Sequence, residues 1–459
     1  MKTLPENETY SLRQGEQNFQ KLKISDNFKE ETSSFFQKFK VEKGSISESV
    51  INICIISYGI GLLALPQRVN YVTLVMTPIL IIFFGIVNYW TFTVLADASR
   101  KYNIDKYEDI VSTLFSPWTS YFFVFVMGIG LLGLMILFQV ILYKFIGGVI
   151  NDVFSYGYTD IEAFANESFW GEKKTRLLVC FAIAICFLLP LSLIKTFSQM
   201  RYASTFGVFS VFLIIFIVVI QCPSFYYHNV VEGNQKVNIF DFSNGFNSDL
   251  KFIQSISSIV FAYVCHSGIF PAISGLNNPT RERVQKVFKI ETLVIITSYI
   301  IITLSGYLTQ PENTPDLILE REKISKTDYF MTLGLFLFSI TLITKVSTTY
   351  NCLRALLLNV MKYNPINFPN GINYIMTIIT LTITTFIAAI FQNISDYISL
   401  NASFYGLITA VIMPGIIYIK SNNYPIFHIK NLLSIIFIIT LSSIGAFTIY
   451  FTLKNIFES

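Results

Sequence analysis

Eleven predominantly apolar stretches follow one another along this chain, at about 46–66, 71–95, 120–146, 177–194, 202–222, 253–275, 287–309, 329–353, 371–391, 398–419 and 430–453. About 20 such residues, rising 1.5 Å each, cross the hydrocarbon core of a bilayer. Lipid offers no hydrogen-bond partners, so segments of this length are expected as membrane-crossing α-helices. With 53% apolar residues and 14% charged, the chain carries more apolar surface than a soluble domain can hide. Eleven spans in 459 residues leave no room for a sizeable soluble domain. Residues 45–455 are therefore predicted to be one all-α integral membrane unit.

Residues 1–44 are polar, rich in Glu, Lys, Gln and Asn, and lack the apolar core of a signal peptide. They read as a disordered tail. Their eight Lys and Arg place the tail in the cytosol, and the short basic connections at 195–201 and 277–283 fall on the same side. The odd number of spans then puts the C-terminus outside or in a lumen. That topology also puts Asn166-Glu-Ser168, a glycosylation triplet, outside. The net charge of +4 is spread along the chain and makes no nucleic-acid stripe. The six cysteines lie within or at the ends of spans and read as buried, inert thiols, a Cys180–Cys222 bridge being the one alternative. No metal or cofactor motif and no hydrolase, protease or nucleotide-binding pattern occurs, and nothing resembles a channel filter. The chain is not expected to be an enzyme.

Two of the stretches are interrupted by glycine at mid-depth. The first reads Asn52-Ile-Cys-Ile-Ile-Ser-Tyr-Gly-Ile-Gly-Leu-Leu-Ala-Leu-Pro66, the sixth Phe261-Ala-Tyr-Val-Cys-His-Ser-Gly-Ile-Phe-Pro271. Glycine is common in membrane helices as a packing residue. The prolines and hydroxyls beside these two argue instead for broken helices, and a pair of breaks in corresponding positions points to a transporter's binding site. Spans one and six correspond if two five-helix halves of opposite orientation are followed by one further span.

Such a site suits an amino acid. Amides freed at Gly59, Ile60 and Gly61 would meet its carboxylate at a half-helix N-terminus, and glycine at 59 and 61 would let it approach the backbone closely. Carbonyls near Ser57, Val264 and Cys265 would accept from its ammonium. Phe261, Tyr263, Phe404 and Tyr405 are candidates for the pocket wall, with plain core packing as the alternative.

Several segments together resemble the amino acid/auxin permease family. Gly44-Ser45, Ser49-Val-Ile-Asn52 and Gly59-Ile-Gly-Leu-Leu-Ala-Leu-Pro66 are similar to its first-span signature. Val264-Cys-His266, Pro271, Leu276, Asn278-Pro279 and Gly306-Tyr-Leu-Thr309 are similar to its sodium-coupled neutral amino-acid branch, with Cys352-Leu-Arg354 a looser match. The resemblance covers about residues 44–453. It implies an eleven-span, leucine-transporter-like fold of the APC superfamily, a 5+5 inverted repeat with helices 1 and 6 broken, and amino-acid transport.

The chain departs from that branch where sodium is held. The resemblance implies an Asn oxygen where this sequence has Ile55, which offers none to a hard cation. A hydroxyl implied in span eight is replaced at about Lys345. That ammonium would stand in for sodium, permanently or by shedding its proton. Alternatively it snorkels inward from about 16 residues into the span, roughly 24 Å deep. Thr344, Ser347 and Thr348 still offer oxygens beside it. His266, next to the second break, is a further candidate for proton linkage or a packed core histidine. Lys144 is expected to snorkel outward. Glu48 and Arg354 would be a cytoplasmic gate pair or two separate charges.

The sequence thus predicts a secondary transporter for a neutral or cationic L-amino acid, proton-coupled or facilitative rather than sodium-driven. Its partners would be the small-molecule substrate and the lipid bilayer, in a plasma membrane or a lysosome- or vacuole-like one. The alternative is a membrane amino-acid sensor signalling through its N-terminal tail.

Overall fold

The computed structural model describes residues 44–458 apart from 155, 159–160, 162–163, 165–167, 195–200, 248–250, 326–327, 365–367, 391–392, 423 and 426–427. All of the expected tail at 1–44 but Gly44, all of the expected inner connection at 195–201 but Arg201, and Asn166 lie outside the described residues. Every regular element described is helical. In chain order the main ones are α1 (Ile46–Ser57), α2 (Ile60–Val72), α3 (Met76–Tyr102), α4 (Tyr107–Leu114), α5 (Pro117–Val153), α6 (Lys173–Ser192) and α7 (Thr205–Glu232). There follow α8 (Lys251–Ala262), α9 (Ile269–Ser274), α10 (Arg281–Thr309), α11 (Tyr329–Val360), α12 (Asn370–Ile390), α13 (Ile394–Ser421) and α14 (Ile429–Asn455).

Ten helices among the described residues are long and apolar enough to cross a membrane, with α8 and α9 counted together. The pair α1 and α2, bent by 56° at its break, makes an eleventh if taken as one span. Each predicted stretch has its helix, in order. The first runs further than expected, to Val72, because Pro66 sits inside α2 without ending it and the missing N–H there is tolerated under neighbouring helices. Pro66 packs on α10: a Cβ added at Gly306 would lie 2.8 Å from its Cγ.

The core is a large apolar cluster to which α1, α2, α8 and α10 contribute, with a second, small one of Tyr143, Phe164, Trp170, Cys180 and Ala389. Helix α10 contacts α1, α2, α3 and α7, while α5 packs along α11. The entry to α1 is fixed at Gly44, whose φ of +78° favours glycine and whose missing side chain makes room for Asn277. The Gly44 carbonyl accepts from the Asn277 N–H at 2.9 Å, tying the start of α1 to the chain just past α9.

The polar ends are braced by buried charges. Arg354 donates to Asn351, Asn373 and the carbonyls of Ser192 and Ile194, fastening α11 to α12 and the end of α6. Glu48 accepts from the Gly44 N–H at the start of α1. All six cysteines are free, so Cys180 and Cys222 are not bridged. Cys54, Cys180 and Cys265 are buried, but Cys186 is exposed, contrary to the expectation of uniform burial. It lies on a π-helical turn of α6, Ala184–Leu188.

Candidate functional site

Helix α1 stops at Ser57 because Tyr58 and Gly59 are extended, with φ, ψ of −69°, 97° and −125°, −160°. The Tyr58 N–H still bonds the Cys54 carbonyl at 2.8 Å. The carbonyls of Ile55 and Ile56 lose their helical partners, the amides four residues on. Lys345 on α11 supplies the donor: its Nζ bonds the Ile55 carbonyl and, at 3.3 Å, that of Ile56. A cation there also faces the negative end of the helix dipole. The lysine is thus turned to the break. Across the gap α2 starts at Ile60 with Gly59 as its cap and no side-chain bond. The amides of Gly59, Ile60 and Gly61 open there as anion-attracting donors.

The second break separates α8 from α9. Tyr263 and Val264 close tight turns onto the carbonyls of Val260 and Phe261, both at 3.0 Å. Cys265 (φ −145°, ψ 17°) then leads into a single 3-10 turn, His266–Gly268. The two breaks meet: the Ser57 hydroxyl lies 3.0 Å from Cys265 Sγ. Helix α10 holds both, since the Tyr299 hydroxyl donates to the Ala262 carbonyl at 2.5 Å and to that of Ser57 at 3.2 Å. Tyr58 and Ser298 add a hydroxyl pair at 2.7 Å. The carbonyls of Ser57 and Cys265 therefore each accept one bond already, the latter from the Gly268 N–H.

The two glycines of the first break differ. A Cβ at Gly59 would meet only the Ser57 carbonyl, at 4.0 Å, which leaves that face open. A Cβ at Gly61 would lie 2.5 Å from Ala262 Cα, so the room at Gly61 is taken by the backbone of α8 and not left for a ligand. Phe261 and Val264 pack toward Gly406 of α13, where a Cβ would meet both at 3.3–3.4 Å. Gly406 closes a π-helical turn, Ala402–Gly406, that also carries half-buried Phe404 and buried Tyr405. Such π turns recur at functional sites. Tyr263 is core: its hydroxyl donates to the Ile81 carbonyl at 2.7 Å and its ring meets Tyr299. His266 is also enclosed, 1% exposed, with Nε2 2.8 Å from the Thr91 hydroxyl and its ring against Phe92.

One residue of this centre escaped the sequence reading. Glu291 of α10 is fully buried, and its Oε1 lies 3.0 Å from the Ser57 hydroxyl. The signal was an acid inside an apolar stretch, which marks an ion or substrate path by default. Lys286 and Lys289 just before it give that end of α10 the look of a solvated border.

Beyond α2 two clefts open at the end of the bundle carrying the 310–328 connection. One of about 640 Å³ is lined by Gln67, Lys144, Trp170, Gln310, Glu320 and Asn393, and Lys144 faces Glu320 there at 3.9 Å. The other, about 290 Å³, is lined by Arg68, Lys251, Asp316 and Asp396.

The family described as transmembrane amino acid transporter protein matches residues 42–454. A Bos taurus protein named "Putative sodium-coupled neutral amino acid transporter 11" is 23% identical over 259 residues, 56% of this chain and 53% of its own length. Vacuolar amino acid transporter 4 of Saccharomyces cerevisiae is 23% identical over 279 residues, 60% of this chain and 36% of its own length. The matches thus span about half or less of those relatives. A crystal structure of an Eremococcus coleocola manganese transporter superposes with a TM-score of 0.52 at 11% identity, covering 90% of this chain and 88% of that one, and so shares the fold. The family match runs through both broken helices and every span between them, and the chain, a multi-pass membrane protein, belongs to the transmembrane amino acid transporter protein family.

Proposed function

We propose that this chain is a secondary transporter carrying a neutral or cationic L-amino acid by alternating access, in a leucine-transporter-like frame of two inverted five-helix halves. The substrate carboxylate sits on the amides of Gly59 and Ile60, with Phe261, Val264 and Phe404 around the side chain. The amide of Gly61 belongs to the same donor set, although its Cα is packed on α8. The ammonium is received by the carbonyls of the second break, that of Val264 first.

Transport is proton-coupled or facilitative rather than sodium-driven. The observation that carries this is the contact of Lys345 with the carbonyls of Ile55 and Ile56. A hard cation needs oxygen ligands, and here an ammonium already takes the carbonyls that the break sets free. The Ser347 hydroxyl oxygen already accepts from the Ser192 hydroxyl at 3.3 Å, further reducing what is left for sodium.

Uptake of radiolabelled amino acids into proteoliposomes tests the reading. A saturable signal, competed by unlabelled substrate, raised by an inward proton gradient or by substrate inside, and indifferent to sodium, is expected. If no amino acid gives uptake or counterflow, the transport reading is wrong; binding without transport would favour a sensor.

A further inference from the structure

We propose that Glu291 carries the coupling proton and that its charge state is linked to substrate at the junction of the two breaks. This rests on the transport reading above.

Glu291 has no exposed surface, and its described donors are hydroxyls alone: Ser57 at 3.0 Å to Oε1 and Thr292 at 3.2 Å to Oε2. The other titratable groups facing it are Cys54 and Tyr58 at the first break, Tyr263 and Cys265 at the second, and Tyr299 on its own helix. None of these brings a positive charge. Lys345 serves the same break but spends its ammonium on Ile55 and Ile56. Among the described residues no ion pair includes Glu291. An ionised carboxylate in this closed arrangement would be a buried charge without a partner, so the neutral acid is the form that fits it.

Ser57 serves either form without moving a heavy atom. Its single hydroxyl lies 3.0 Å from both Glu291 Oε1 and Cys265 Sγ. It accepts from the neutral acid while donating to sulfur, or donates to the carboxylate while accepting from the thiol. When the break opens to water on one side, hydration stabilises the carboxylate and the proton leaves to that water. On the other side a proton is taken up again, one per cycle, with no bond made or broken elsewhere. The link to substrate follows from position. Ser57 stands two residues before Gly59, whose amide receives the substrate carboxylate. Two negative charges so close together repel, so binding favours the protonated acid, and by reciprocity the proton favours binding.

The test uses the full chain in proteoliposomes, with the amino acid that wild type transports and two readouts, accumulation on an imposed proton gradient and gradient-free counterflow. For Glu291→Gln, gradient-driven accumulation is expected to fall about tenfold or more relative to the same variant's counterflow, which loses its dependence on pH. Accumulation by that variant at the wild-type level overturns the proposal. Should Glu291→Gln not fold, Glu291→Asp decides: a shifted pH dependence of accumulation supports the role, and an unshifted one overturns it. Wild-type counterflow without accumulation on the proton gradient sinks this proposal alone; no wild-type flux of any kind sinks the transport reading beneath it.

Discussion

Lys345 donates a hydrogen bond to the carbonyl of Ile55. These are the two positions at which the resemblance implies sodium ligands in the sodium-coupled branch, and they are in contact. We propose that the two positions act together, the Lys345 ammonium serving as a fixed cation at the end of α1 where Ile55 offers no side-chain oxygen. Lys345→Thr is therefore expected to lose transport without sodium, with stability lowered by about 1–3 kcal/mol for carbonyls left unpaired. In the double variant Ile55→Asn, Lys345→Thr, sodium is expected to restore uptake, as Asn and Thr oxygens replace the ammonium. Flux in sodium and in choline media measures both. Sodium-stimulated uptake by wild type would contradict the account.

Tyr299 ties the broken ends together through two carbonyls, Ser57 and Ala262. In Tyr299→Phe the ring stays and the bonds go. Losing about 1.4 kcal/mol of closing free energy raises the open population about tenfold. Cys265, buried at the junction, reports it. With Cys186, Cys222 and Cys352 changed to Ser, maleimide labelling of Cys265 should accelerate by that factor. An unchanged rate means that the hydroxyl does not hold the breaks shut.

Hydropathy alone made the spans legible, since each helix must bury its own backbone polar groups and so writes its length as an apolar run. The first break was legible for a local reason, Gly59 and the glycine two residues on. Its neighbours were not. Gly61 reads as room for a ligand, yet the space is filled by Ala262, because a glycine announces a close approach without naming what approaches. Tyr263 reads as a pocket wall and is bonded into α3, since the way a ring points at an unwound turn depends on packing. Lys345 could be placed at the cation site only by resemblance; its depth alone also allowed snorkelling. Glu291 shows the opposite failure, a local signal blurred by flanking lysines.

Lys323 and Asp152 form a buried ion pair, 6% and 7% exposed, which Thr332 joins through the other carboxylate oxygen. The pair clamps the 310–328 connection to the end of α5. Removing one partner leaves a buried charge alone, so Lys323→Met is expected to destabilise by about 3–5 kcal/mol. The double variant Lys323→Met, Asp152→Asn should recover most of that. Thermal unfolding in detergent measures the cycle. If the double variant melts no higher than Lys323→Met, the cost comes from packing of the connection rather than from stranded charge.

Gly59 and Gly61 separate the site from its scaffold. At Gly61 a methyl group would meet Ala262 Cα at 2.5 Å, against backbone that no side-chain rotation can relieve. Gly61→Ala is thus expected to push α2 off α8, costing about 1–3 kcal/mol and most of the transport with it. At Gly59 nothing is nearer than 4.0 Å, and its φ of −125° suits any residue. Gly59→Ala should fold as wild type does, with its melting temperature unchanged. Its methyl group would instead stand where a carboxylate comes down on the amides, so KM is expected to rise about tenfold, the loss of one good hydrogen bond to a charged group. Melting curves and uptake kinetics on the same two preparations decide it. An unaltered KM in Gly59→Ala would place the carboxylate elsewhere, while a wild-type melting curve for Gly61→Ala would show that the two breaks are less tightly joined than their geometry implies.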